Sequence, residues 1–293
     1  MEGYVYEYAV PFEYPASQED VFAALTDPEA LKTWFAEHVT VEPQTGGAYR
    51  FWGKHTYGTP SEADASQAIT AFDPPNSLSF TWHIEGQDSE VTWVVKPEGD
   101  NTSKITVRHE FDQLPAIGRA KEMIDDLWRF HTGNLAFYLM GDQKIFRPDF
   151  DDPSPIVRHE IDIDAPPEKV FKALMEPEQI KQWFPAPEPV VDPKVGGEYS
   201  FGFTYEVDGE TVPMPSMTIL ELVENQTLTM TWGDWRGDPN VPDQKIKWTL
   251  IDLGGRTRLL LEHSGFVRTV DVSDYPFGWL EFVQAIKSVS EAL

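Results

Sequence analysis

Seven histidines are the side chains best suited to acid–base work at neutral pH: His38, His55, His83, His109, His131, His159 and His263. No two stand at i, i+4, and none gathers acids at metal-ligand spacing, so no metal site is expected. Cysteine is absent, which removes thiolate nucleophiles, disulfides and cysteine metal sites together. The sequence holds no phosphate-binding loop, no dinucleotide-binding glycine pattern, no HExxH helix and no GxSxG turn, so no cofactor is expected. His109 and His263 stand out, each on the apolar face of a strand just ahead of a terminal helical pattern. A histidine there could anchor a ligand carbonyl or hydroxyl, serve as a general base, or be a satisfied strand-end residue; the last is preferred. Glu110 and Ser264 follow them, but neighbouring strand residues point to opposite faces, so neither completes a dyad.

The two histidines correspond because the chain repeats itself. "EDVFAALTDPEALKTWF" lies over "EKVFKALMEPEQIKQWF" without a gap, Val21 on Val170 and Trp34 on Trp183. "GGAYRF" then matches "GGEYSF", and "LSFTW" matches "LTMTW", in the same order and with nearly the same spacing. The 293 residues therefore read as two domains, 1–143 and 153–293, joined by an acidic, Pro-rich and fairly stiff linker at 144–152.

Each repeat writes the same elements. Tyr4, Tyr6, Tyr8, Val10 and Phe12 alternate as a half-buried strand should. Ser17 with Asp20 reads as a capping box, and Asp27 with Pro28 as a helix start. Leu31, Trp34 and Phe35 fall on one helix face, so the repeated nonapeptide is read as architecture. Gly46-Gly47 and Gly196-Gly197 mark turns, each followed by an alternating strand: Tyr49 and Phe51, then Tyr199, Phe201 and Phe203. Three further strands and a long amphipathic helix close each repeat. Hairpin spacing demands an antiparallel sheet with one apolar face, and only the last helix is long enough to cover it. The expected class is α+β, two tandem curved sheets each wrapped around its C-terminal helix.

The chain carries 23 Lys and Arg against 49 Asp and Glu, a formal charge of −26. The charge is even: 11 against 24 in residues 1–150 and 12 against 25 in 151–293, so −13 in each half. Such a field repels phosphate backbones and anionic lipid, so neither nucleic acid nor a membrane is an expected partner, and solubility is the preferred reading. No apolar run is long enough to span a bilayer, and the opening "MEGYVYEYAVPFEY" has no signal-peptide pattern. A cytoplasmic location is expected.

Strand, two helices, sheet and long helix, with "DPE.L..WF", "GG.Y.F", a "TW" strand and a terminal-helix Trp, resemble the SRPBCC or START-like helix-grip superfamily. The closest likeness is to its AHSA-like branch, named after the activator of the heat-shock chaperone ATPase. The resemblance implies an apolar cavity between sheet and last helix. In the first repeat its lining would draw on Trp34 and Phe35, Tyr49 and Phe51, Phe80 and Trp82, Trp93, His109 and Trp128. In the second it would draw on Trp183 and Phe184, Tyr199 and Phe201, Met230 and Trp232, Trp248, His263 and Trp279. It also implies a function: non-catalytic binding of a small, largely apolar lipid, acyl or polyketide-like molecule. The alternatives are a cyclase- or hydrolase-type enzyme on such a molecule and a co-chaperone or protein-interaction module. No repeated acid–base pair supports the enzyme. Eukaryotic activators use a separate N-terminal domain with no counterpart here, so a chaperone contact is a secondary expectation. The repeats also differ: Phe80 stands against Met230 and Trp52 against Gly202. The second adds "PAPEPVVDP" and the loop "WGDWRGDPNVPD". Two readings stand equal: a stiff, aromatic-tipped loop that closes or fills the second cavity, making the first the expected ligand site, or ordinary loop drift after duplication.

Overall fold

The computed structural model describes residues 3–141, 145–207, 210–238 and 240–293. The chain divides into two compact units, Met1–Pro153 with Arg268–Asp274, and Ser154–Val267 with Tyr275–Leu293.

The first unit runs β1 (Tyr4–Ala9), α1 (Gln18–Thr26), α2 (Pro28–Trp34), β2 (His38–Val41), β3 (Tyr49–Trp52), β4 (Ile69–Asp73), β5 (Ser77–Ile84), β6 (Gln87–Gly99), β7 (Thr102–Phe111) and α3 (Ala120–Leu139). Its main sheet is antiparallel in the order β1-β7-β6-β5-β4. The β2–β3 hairpin continues it through Tyr49 N–H to the Gln67 carbonyl and Ile69 N–H to the Gly47 carbonyl. β1 stops at Ala9, short of the expected alternation, because Pro11 has no N–H to donate; Phe12 is left exposed.

The helix starts are as the sequence reads. Ser17 accepts the Asp20 N–H, and Asp27 accepts those of Glu29 and Ala30 with Pro28 at the first helical position. The repeated tryptophan then ties the two helices together: Trp34 Nε1 donates to the Ala24 carbonyl at 3.0 Å. Tyr49 secures β3 to the same helix, its hydroxyl donating to the Leu25 carbonyl at 2.7 Å. The double glycine is required by two different constraints. Gly46 has φ +83°, and a Cβ on Gly47 would lie 2.1 Å from the Glu42 carbonyl oxygen.

Two further stretches complete the first unit. Phe146 exchanges hydrogen bonds with Asn134, and Phe150 N–H donates to the Lys54 carbonyl. Residues 142–144, part of the expected domain end and linker, lie outside the described residues. A short 3₁₀ turn, Thr269–Val272, adds Val270 to the core.

The second unit repeats the plan as β8 (Val157–Ile163), α4 (Pro167–Met175), α5 (Pro177–Trp183), β9 (Val190–Val191), β10 (Glu198–Ser200), β11 (Thr204–Val207), β12 (Glu210–Pro213), β13 (Met217–Val223), β14 (Thr227–Trp232), β15 (Gln244–Asp252), β16 (Thr257–Ser264) and α6 (Tyr275–Ala292). The sheet order is β8-β16-β15-β14-β13-β10-β9, with β11–β12 a separate hairpin. The same anchors recur: Trp183 Nε1 to the Ala173 carbonyl and the Tyr199 hydroxyl to the Leu174 carbonyl. The strand expected through Phe203 ends instead at Ser200. Gly202 breaks it with φ +76°, where a Cβ would sit 2.3 Å from the Glu188 carbonyl oxygen.

Candidate functional site

Each unit buries one strand histidine between its sheet and last helix, His109 or His263, and both nitrogens of each are occupied. Trp128 on α3 donates its indole N–H to His109 Nδ1 at 3.1 Å, which puts the imidazole proton on Nε2. Nε2 is 2.8 Å from Ser89 Oγ, and that hydroxyl donates onward to the Trp82 carbonyl. In the second unit Trp279 Nε1 donates to His263 Nδ1 at 3.0 Å, and Nε2 meets Gln244 Oε1 at 2.6 Å. Burial lowers the pKa of each histidine to about 3, so both stay neutral at physiological pH. A neutral imidazole with both nitrogens satisfied is a structural clasp and has no lone pair to offer as a base. Ser89 and Gln244 escaped the sequence reading. Their signal is present: each precedes a buried strand tryptophan, Trp93 or Trp248, by four residues, a polar side chain on an otherwise apolar face.

In the first unit the expected lining residues are packed against one another. Phe35 meets Phe51 at 4.9 Å between ring centroids, Tyr49 meets Phe80 at 4.6 Å, Phe51 meets Trp82 at 5.1 Å and Trp93 meets Trp128 at 5.2 Å. With Trp34 and His109, none is more than 4 % exposed. His131, one turn beyond Trp128, joins them 4.5 Å from Phe35. It too is fully buried and held neutral, its pKa lowered to about 3, yet neither nitrogen finds a hydrogen-bond partner among the described residues.

The second unit differs at one end of its core. Trp248 and Trp279 pack at 5.7 Å, and Trp183 stands 6.4 Å from Trp248, much as in the first unit. Phe201 and Trp232, however, face an open apolar cavity of about 450 Å³. Phe184, stacked on Phe201 at 3.9 Å, forms its floor. Phe203 and Met214, joined by a backbone hydrogen bond at the base of the β11–β12 hairpin, form one wall. The opposite wall is the loop after β14, through Trp235, Asp238 and Val241. Within that loop Gly237 N–H closes a turn on the Asp234 carbonyl, and Asp234 Oδ2 accepts the N–H groups of Arg236 and Asp238. Pro239, in the same loop, lies outside the described residues.

No residue of α6 lines this cavity, so it is not the expected one between sheet and last helix; the aromatic loop borders it. Gly202 turns the chain out of the sheet into the β11–β12 hairpin, which leaves room between hairpin and loop. The expected lining residues therefore separate into three groups: backbone anchors (Trp34, Tyr49, Trp183, Tyr199), packed core, and the cavity residues Phe184, Phe201 and Trp232. Among the described residues no group of three or more His, Asp or Glu is placed to hold a metal, and no helix is long and apolar enough to cross a membrane.

Comparison with known proteins adds kinship. No curated protein matches the chain. Among solved structures, an AHSA1-like protein of Rhizobium etli is 29% identical over 47% of this chain and 82% of its own, with a TM-score of 0.36. A protein of Mesorhizobium loti is 27% identical over 46% of this chain and 96% of its own, TM-score 0.37. The di-domain ARO/CYC BexL from the BE-7585A biosynthetic pathway is 13% identical over 100% of this chain and 98% of its own, TM-score 0.38. The family described as Activator of Hsp90 ATPase homolog 1-like protein matches twice, at residues 15–139 and again at residues 164–291. These two matches span most of the sequence: the chain belongs to that family and carries its domain in tandem.

Proposed function

We propose that this chain binds, without chemical conversion, a small and largely apolar molecule in the cavity of its second unit. One observation carries the reading: a cavity of about 450 Å³ whose floor and walls are mostly aromatic and aliphatic. That size and lining are typical of sites for small organic ligands. A binder is favoured over an enzyme because His109 and His263, the expected bases, spend both nitrogens inside the protein. In the first unit the corresponding residues are packed against one another.

Isothermal titration of the full chain with 2-naphthylmethanol, a neutral apolar probe, tests the proposal. Saturable binding is expected, and Met214→Trp should abolish it by filling the wall while leaving the unfolding temperature within a few degrees. No measurable heat from the unaltered protein, or equal binding to the Met214→Trp variant, would refute the site.

A further inference from the structure

The family domain of the first unit ends at residue 139, yet residues 145–150 return across it as a strap. Asn134, buried on α3, donates to the Phe146 carbonyl at 2.8 Å and accepts the Phe146 N–H at 3.0 Å. Arg147 donates to the Ala36 carbonyl at 3.4 Å, and His55 Nδ1 donates to the Pro148 carbonyl at 2.6 Å. Phe150 N–H donates to the Lys54 carbonyl at 2.8 Å. The rings of Phe146 and Phe150 stand 6.0 and 5.9 Å from that of Phe130. Between the strap and Trp34, Phe35 and Phe130 only a gap too narrow to admit water remains.

His131 lies against two of those gap residues, Phe35 at 4.5 Å and Phe130 at 5.2 Å. It is fully buried, and neither of its nitrogens has a partner among the described residues. Trp82, two rings away through Trp128, has an indole N–H in the same condition. The second unit keeps neither orphan. Phe282 takes the place of His131 beside Phe184, and Trp232, the counterpart of Trp82, donates to the Tyr275 hydroxyl at 3.1 Å. Buried polar atoms are normally paired, and departures from that rule gather at functional sites. A neutral imidazole offers one N–H and one lone pair, and a hydroxyl can answer either. A charged guest would be stripped of water among these rings without a counter-charge. We propose that the first unit holds a second binding site, for a small neutral molecule whose hydroxyl bonds His131, and that the strap at 145–150 stands in its entrance. The closed strap accounts for the packed state of this core, and the inference is independent of the cavity in the second unit.

Phe146 and Phe150 are half-buried and lie beyond the matched domain, so Phe146→Ala/Phe150→Ala should loosen the strap without unfolding the unit. Every comparison is made in the full chain carrying Met214→Trp, so the outcome at the second cavity does not enter. Isothermal titration with 2-naphthylmethanol should show binding about tenfold or more tighter once the strap is loosened. Adding His131→Phe should take back most of that gain, because phenylalanine keeps the ring and loses the hydrogen bond. No gain on loosening, or a gain that His131→Phe leaves intact, overturns the inference. Should the loosened variant fail to unfold cooperatively, hydrogen exchange of the Met214→Trp chain decides. Millimolar 2-naphthylmethanol should then speed exchange of the Phe146 and Phe150 amides several-fold by displacing the strap, and unchanged rates overturn the inference.

Discussion

Replacing His131 by phenylalanine should stabilise the first unit, and by more at pH 5 than at pH 7. His131 is fully buried on α3, in ring contact with Phe35 at 4.5 Å and Phe130 at 5.2 Å. Neither of its nitrogens is hydrogen-bonded among the described residues. The second unit shows that phenylalanine suits this place: Phe282 on α6 meets Phe184 at 4.6 Å, as His131 meets Phe35. At pH 7 the gain comes from removing buried polar atoms that lack partners, worth about 1–3 kcal/mol, offset by the slightly larger ring. The pH-dependent part follows from the pKa, lowered to about 3 by burial. Below the unfolded value near 6.5 the unfolded chain takes up a proton that the folded chain refuses, so stability falls as pH drops from about 6.5 towards about 3. At pH 5, roughly 1.5 units below the unfolded value, that loss is about 2 kcal/mol, and phenylalanine abolishes it. Urea denaturation of the full chain at pH 7 and pH 5, followed by circular dichroism, measures both parts. A variant less stable than the parent at both pH values, or one with no extra gain at pH 5, would refute the reasoning.

Two further substitutions probe the frame. Trp128→Phe removes the donor to His109 Nδ1 and should cost the first unit about 1–3 kcal/mol, with Trp279→Phe costing the second a similar amount; urea midpoints check both, and a cost under about 0.5 kcal/mol would mean the clasp contributes nothing. Gly46→Ala faces only backbone strain at φ +83° and should cost about 1–2 kcal/mol. Gly47→Ala must displace the Glu42 carbonyl oxygen and should cost roughly 3 kcal/mol or more; equal unfolding temperatures for the two would contradict this.

The parts of the molecule that were legible in sequence are those set by short-range rules. Asp27 and Pro28 specify a helix start through local geometry, and the double glycines mark a turn that only glycine can take. Trp34 and Trp183 are readable as architecture from their place on an apolar helix face, while the bond each makes to a carbonyl ten residues away appears only in the structure. The burial of His131 has no signal in the sequence, because a lone histidine in an amphipathic helix reads equally well at the edge of its apolar face. Ser89 and Gln244 were illegible for a different reason. Their histidine partners stand 20 and 19 residues distant on the adjoining strand, so the bond exists only once the register is set. The cavity was the hardest feature. Whether an aromatic loop fills a space or borders it depends on where the chain leaves the sheet, and one glycine, Gly202, decides that.

The indole–imidazole clasp turns each unit into its own optical probe. In both, a buried tryptophan donates its indole N–H in a hydrogen bond to a neutral histidine, with ring centroids 5.6 Å apart in the first and 6.0 Å in the second. An imidazolium cannot accept that proton. Acid therefore removes a hydrogen bond that red-shifts indole emission and, at the same moment, places a cationic quencher at the edge of the fluorophore. Part of the tryptophan emission, that of Trp128 and Trp279, is thereby tied to the protonation state of the core histidines.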